Sequence, residues 1–330
     1  MVLRTAAAYE SATPWGSVDQ RWSSLGAARR FRDSIMVLRI GPAGWSYPDW
    51  KGRVYPAKTP RGFEPLRYLS HYFDAIEINS TFYGIPDAAR TRRWVEQVSG
   101  NPAFKFTAKL PRLFTHTHRA SARDEEALKR AVEPLQEAGR LGALLLQFPY
   151  AFHNTSENRA YVRALAERFG QFPLILEVRH RSWDRSEVYA FLRDLGMGFC
   201  NIDQPQVSYS LGLTRHITSA AGYLRLHGRN TTAWFQEDAG RDARYDYLYS
   251  GKELEEITEA LLSIAAQARE TYLVTNNHFR GQAALNALEL RHRVSGVPVD
   301  VPPQLLSVYP QLATLMRSGT GREPPSSPAL

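Results

Sequence analysis

The sequence predicts a (β/α)8 barrel of the TIM type, an α/β fold formed as a single domain. Three observations carry this. Eight short apolar or β-branched runs alternate with helical segments, the pattern of repeated βα units and a parallel sheet. Several helical segments are followed at once by glycine, the residue that accepts the left-handed conformation closing a helix. No glycine-rich phosphate loop follows the first strand, which weighs against a doubly wound sheet, the alternative for alternating β and α. The 330 residues would divide into two domains of usual size, but an α/β barrel takes about 250 residues as one.

Strands are predicted at Val37–Gly41, Phe73–Asn79, Phe104–Leu110, Ala143–Phe148, Leu174–Arg179, Gly198–Asp203, Tyr223–Gly228 and Tyr272–Asn277. Between them, Asp124–Ala138 opens on an acidic turn and precedes Gly139. Ser156–Phe169 takes Ser156 as its N-cap and precedes Gly170. Ser186–Leu195 precedes Gly196, and Ser250-Gly251 opens the run to Ala268. Between the sixth and seventh strands no helical period appears, and an irregular stretch runs through Thr218. The ends lie outside the barrel, which is assigned to residues 36–317. Residues 1–35 are rich in Ala, Ser and Arg without a sustained period, and Met1-Val2-Leu3-Arg4 recurs as Met36-Val37-Leu38-Arg39. Met36 is therefore the expected natural start, with residues 1–35 a disordered or mis-assigned leader. Residues 318–330, rich in Pro, Ser and Gly, are expected to be a disordered tail.

Composition narrows the chemistry. Cys200 is the one cysteine, which excludes an intrachain disulfide framework and thiolate zinc clusters. There is no apolar core of a secretion signal and no run of 18 apolar residues, so the expected location is cytoplasmic, with no membrane partner. The net charge of +8 and a pI near 9.6 leave polyanions open as partners.

Strand parity then places charge inside the barrel, because alternate residues face opposite sides. Ile76 and Ile78 belong against the helices, so Glu77 and Asn79 point inward. The same alternation turns Arg39, Lys105, Lys109, Glu177, Arg179, Arg225 and His227 inward. Barrel interiors are usually filled by Val, Ile and Leu, and unpaired buried charge is expensive, so these groups must pair. One reading is an ionic plug of Arg39, Lys105 and Arg225 with the two glutamates.

Barrel active sites are built at the strand C-termini, and that rim is dense here. It carries Asn79, Lys109, Gln147, Glu177, Arg179, His180, Asp203, His227, Arg229, Asn276 and Asn277. Six of the nine histidines lie at or just after strand ends, His116 among them, and Trp45, Tyr47, Phe82, Tyr83 and Trp183 add aromatic surface. With Arg112 nearby, the combination points to a cleft for a flat anionic ligand or a sugar. The candidate catalytic groups are Glu77, Glu177, His227 and Asp203. Glu77 and Glu177 stand three strands apart and face each other as a glycosidase pair would, although Arg179 beside Glu177 would keep it ionised. No cofactor is predicted. A divalent metal on Glu77, Glu177, Asp203, His227 and a loop histidine is the one cofactor reading the donors offer, and the surrounding cations oppose it. Lys109 is read either as a Schiff-base lysine or as an anion binder. The motifs Gly-x-Ser-x-Gly, Gly-x4-Gly-Lys-Ser/Thr and His-Glu-x-x-His are absent, removing nucleophilic serine, P-loop and zincin chemistry.

Seven blocks in order resemble the domain-of-unknown-function-72 (YecE-like) family. They include Gly41-Pro-Ala-Gly44-Trp45-Ser46-Tyr47, Phe73 through Tyr83, Phe104 through Arg112 with Thr115-His116, and Leu141-Gly142 through Gln147-Phe148-Pro149. Leu176 through His180 with Ser182-Trp183, Tyr223 through Arg229, and Tyr272 through Ala283 complete the series. The resemblance spans about Met36 to Leu290 and implies a TIM-type barrel. Its barrel face is similar to that of endonuclease-IV-type enzymes, which implies nucleic-acid binding or cleavage, although their zinc-ligand cluster has no equivalent here. Pro42-Ala43 stands where the family more often has Thr-Ser. Three functions follow as expectations. The first is binding, with hydrolysis in reach, of a nucleic acid such as single-stranded or damaged DNA or RNA, or of another phosphate-bearing ligand. The others are a carbohydrate hydrolase using Glu77 and Glu177, and a non-catalytic binder of a small anion.

Overall fold

The computed structural model describes residues 2–3, 36–234 and 241–316. Eight parallel strands follow the predicted order: β1 Met36–Pro42, β2 Ala75–Ile78, β3 Lys105–Lys109, β4 Leu141–Gln147, β5 Leu174–Glu177, β6 Gly198–Asp203, β7 Ala221–Leu226 and β8 Glu270–Thr275. They pair as β1-β8-β7-β6-β5-β4-β3-β2. The sheet is drawn shut between β1 and β2 by a parallel bridge of Ala43 with Glu77, where the Gly44 N–H donates to the Glu77 carbonyl at 2.8 Å. Gly41 makes the approach possible, since a Cβ there would stand 1.8 Å from the Ala75 carbonyl oxygen. The result is a TIM-type barrel in one domain. Val2–Leu3 pairs antiparallel with Val37 and Met36. The remainder of the predicted leader and the predicted tail lie outside the described residues.

The strands were legible because parallel strands covered on both faces become continuous apolar runs, as in the Leu141–Gln147 and Leu174–Glu177 segments. The predicted helices form at Ala122–Glu137, Ser156–Phe169, Ser186–Asp194 and Gly251–Ala265. Ser121 with Asp124, and Ser250 with Glu253, make reciprocal capping boxes, each satisfying two donors the helix leaves open. The cap predicted at Ser156 is corrected to Thr155, whose side chain accepts from the Asn158 N–H while Ser156 begins the helix. The segment from Asp203 to Ala221 contains no helix, as predicted. Buried Asn201 organises it, donating to the His216 and Tyr223 carbonyls and accepting from the Thr214 hydroxyl and the His216 N–H.

Register separates the inward charges into layers. Arg39 lies level with Tyr272, and Lys105 with Ala75, in the N-terminal layer. There Arg39 pairs with Glu270 and the Ala103 carbonyl, and Lys105 donates to the Gly139 carbonyl. Glu77 is level with Thr107, two residues higher on β3 than Lys105. The expected plug is therefore corrected: of the three cations proposed for it, Arg225 alone reaches the glutamates.

Candidate functional site

At the C-terminal end of the barrel the inward side chains of β2, β4, β5 and β7 converge on Arg225, which is fully buried. Its Nη2 donates to Glu77 Oε1 at 2.6 Å, and its Nη1 pairs with Glu177 Oε2 and reaches Gln147 Oε1 at 3.2 Å. The Tyr223 hydroxyl, one inward position below, lies 3.1 Å from Glu77 Oε2 and 2.7 Å from Thr107 Oγ1. Above Arg225, Arg179 Nη2 donates to Glu177 Oε1 at 3.0 Å, and His227 Nε2 stands 3.1 Å from that same oxygen. Asn276 Nδ2 donates to His227 Nδ1 at 3.1 Å, so the imidazole carries its proton on Nε2 and donates it to Glu177.

The electrostatics follow from these contacts. Burial, reinforced by the Arg179 charge, pushes His227 down to about 3, so it is a neutral hydrogen-bond donor at physiological pH. For Glu177 burial acts upward, but Arg225, His227 and Arg179 together outweigh it and hold the carboxyl well below its usual range. Lys109 is the third cation. Its Nζ lies 3.7 Å from Glu77 Oε1 and 5.8 Å from the centroid of the Phe82 ring. Burial first, then the Arg225 charge, lowers it to about 8.

Glu77 and Glu177 do face each other across the barrel, as parity required, but through a shared guanidinium. Arg225 occupies the space where a glycosidic oxygen and an attacking water would stand, and Glu177 stays ionised. The geometry therefore does not support Glu177 as the acid of a carbohydrate hydrolase. Nor do the proposed metal ligands converge: among the described residues no three His, Cys, Asp or Glu side chains gather as a ligand set.

The predicted rim residues divide into two groups. Lys109 and Arg179 form the floor of the mouth, flanked by Asn79, Phe82, Arg112 and His116. The Phe82 ring meets the His116 ring edge-on at 4.9 Å, and Tyr83 beside it is 67% exposed. Partial burial, then the charges of Arg179, Arg112 and Lys109, depresses His116 to about 4. Tyr47 stacks on His278 at 4.3 Å, and its hydroxyl donates to the Ala43 carbonyl and receives Asn79 Nδ2 at 3.3 Å.

The second group is committed elsewhere. Asp203 was expected among the catalytic groups and Arg229 among the ligand-binding ones. Along β6, Cys200, Ile202 and Gln204 take the inward parity, leaving Asp203 on the other face, where Arg229 grips both its oxygens and the Tyr249 hydroxyl donates at 2.6 Å. Arg229 also pairs with Glu253 and Glu256. Trp183 is fully buried, stacked on Phe152 with its indole N–H on the Phe152 carbonyl. Asn277 spends its amide on the Tyr247 carbonyl and on Asn286. Trp45 packs edge-on against Trp94, and His180 accepts the Ser182 N–H and packs against His153 at 4.1 Å. Sequence reasoning missed Gln204 and Tyr223. Gln204 accepts from Arg179 Nη1 at 3.3 Å and donates to the Arg179 and Leu211 carbonyls, so it aims the guanidinium. The signal for both was the same alternation that found Arg225 and His227.

Fold and site together define a class: TIM-type barrels whose C-terminal interior is an ion-pair network rather than a hydrocarbon filling. Within that class, the chain belongs to the family described as Protein of unknown function DUF72, which matches residues 39–305. It is 30% identical to the UPF0759 protein YunF of Bacillus subtilis (strain 168) over 288 residues, which cover 83% of this chain and all of YunF. The UPF0759 protein YecE of Escherichia coli (strain K12) is 28% identical over 144 residues, 44% of this chain and 49% of that protein. Among solved structures, the DUF72 family protein TM1631 of Thermotoga maritima MSB8 superposes with a TM-score of 0.68 at 35% identity, covering 78% of this chain and 99% of that one. The DUF72 family protein EF0366 of Enterococcus faecalis V583 gives 0.70 at 26% identity, covering 81% and 98%.

Proposed function

We propose that the barrel mouth binds a phosphate-bearing ligand, and that single-stranded nucleic acid is the polymer form of it. The observation that carries this is the imbalance of buried charge. Among the described residues, Arg225, Arg179 and Lys109 face Glu77 and Glu177, with His227 neutral, so three cations meet two carboxylates there. A buried excess cation is costly unless an anion completes it. Arg112 extends the positive surface outward, and Phe82 and Tyr83 offer faces on which bases stack. The reading is one of binding: both carboxylates are engaged by Arg225, and His227 donates its proton to Glu177, so none of these three is a free general base for hydrolysis.

The test is titration of a fluorescent oligo(dT), and separately of inorganic phosphate, at two salt concentrations. If about three phosphates are neutralised, raising salt from 50 to 200 mM weakens oligonucleotide binding roughly 20-fold. Tyr83→Ala lowers oligonucleotide affinity by about 1–3 kcal/mol and leaves inorganic phosphate unaffected. Absence of binding by both probes at low salt overturns the proposal; phosphate binding alone confines it to small ligands.

A further inference from the structure

Anion binding does not explain why residue 109 is a lysine. The chain meets nearly every cationic need with arginine, and only six of its 41 basic residues are lysines. Arginine's fork grips a phosphate with two parallel bonds and keeps its charge, whereas lysine can shed its proton and become a nucleophile. Lys109 ends β3 on the face where barrel side chains meet substrate. It pairs at 3.7 Å with Glu77 Oε1, an oxygen already held by Arg225 at 2.6 Å, and Nζ makes no hydrogen bond among the described residues. The side chain keeps 11% of its surface open to the mouth. Burial and Arg225 hold its pKa at about 8, so a sizeable neutral fraction exists near neutrality.

We propose that Lys109 Nζ condenses with the carbonyl carbon of a short aldehyde or ketone that carries an anionic group, forming an imine. The amine lone pair forms the C–N bond while the carbonyl π electrons pass to oxygen. One N–H proton is transferred to that oxygen through solvent at the open end of the side chain. The C–O bond then breaks and the hydroxyl departs as water with the second N–H proton as C=N forms, so neither oxidant nor reductant is consumed. Arg179 holds the anionic group. The choice of an anionic carbonyl compound rests on the anion reading above and deepens it.

The experiment treats the native full chain with glyoxylate and cyanoborohydride at pH 7.5 and quantifies alkylation of each lysine by peptide mass spectrometry. Glycolaldehyde serves as the neutral counterpart. An ordinary lysine holds about a hundredfold less free amine at this pH, so Lys109 is expected to react at least about tenfold faster than exposed Lys51, Lys58 and Lys252. Its rate rises with a midpoint near pH 8, and inorganic phosphate slows it. Lys109→Arg removes the modification at this site. Reaction at Lys109 no faster than at the exposed lysines overturns the imine, and retained phosphate binding then shows that the anion reading survives it. Equal reaction with glycolaldehyde and no protection by phosphate overturns the anionic half of the proposal together with the anion reading.

Discussion

Replacing Arg225 by Met removes the group that joins Glu77 to Glu177 while keeping most of its volume. Two ion pairs and the contact to Gln147 disappear from a site with no solvent access. Glu177 retains Arg179 and His227, but Glu77 is left with the Tyr223 hydroxyl at 3.1 Å and a lysine 3.7 Å away. Removing one partner of a buried pair costs about 3–5 kcal/mol. For a barrel of this size that corresponds to a fall in Tm of roughly 6–10 °C. The pH dependence distinguishes this cause from poor packing. In the parent protein Glu177 is held below its unfolded value, so its contribution is present above about pH 4.3 and is lost as pH falls through the folded value. The variant loses the Arg225 charge, the largest of those that hold Glu177 down, so less of that contribution remains to be lost and the gap between variant and parent narrows as pH falls below about 4.3. Urea unfolding at pH 4, 5 and 7 measures both effects, and adding Glu77→Gln to the variant recovers part of the loss at pH 7. A loss below about 1 kcal/mol at pH 7, or a gap that widens toward pH 4, refutes the reasoning.

Arg229→Ala leaves buried Asp203 with Tyr249 alone; urea unfolding should show a loss of about 2 kcal/mol, with phosphate affinity unchanged because Arg229 faces away from the mouth. Phosphate affinity in the parent should weaken as pH rises through about 8, where Lys109 loses its charge, and Lys109→Arg should flatten that profile in a calorimetric titration. Nitrogen NMR of the imidazoles should show His227 as the Nε2–H tautomer with no titration between pH 5 and 8, since its pKa lies near 3.

What could be read in advance depended on how local each signal is. The strands announce themselves because burial on both faces forces apolar runs, and their alternation turned Glu77, Glu177, Arg225 and His227 inward before any partner was known. The helix Gln282–Ser295 went unread for the opposite reason. Its residues from Gln282 to Leu288 are all buried, Gln282 and Asn286 included, so polarity does not mark a solvent face in its first two turns. Asp203 was chosen over Gln204 because charge at a strand end draws attention, whereas parity along β6 favoured the neutral neighbour. Which carboxylates Arg225 selects was not legible, because its partners lie 148 and 48 residues away and the choice is made by closure of the barrel.

Closure also divides the rim by what each side chain has left to offer. Arg229, Asp203 and Trp183 are engaged within the protein, so a ligand would have to break native bonds to use them. Part of the remaining capacity lies at the ends of β2 and β3. Lys109 carries three donors with no hydrogen bond among the described residues, and Asn79 Oδ1 is a buried acceptor in the same condition, beside the Tyr47 hydroxyl. A buried polar atom left without a partner costs about 1–3 kcal/mol, and a native fold keeps such atoms where binding offsets the cost. A ligand that accepts from Lys109 and donates to Asn79 meets both needs. An anionic group next to a hydroxyl or amine has that pattern, and neither a purely apolar ligand nor a bare cation does.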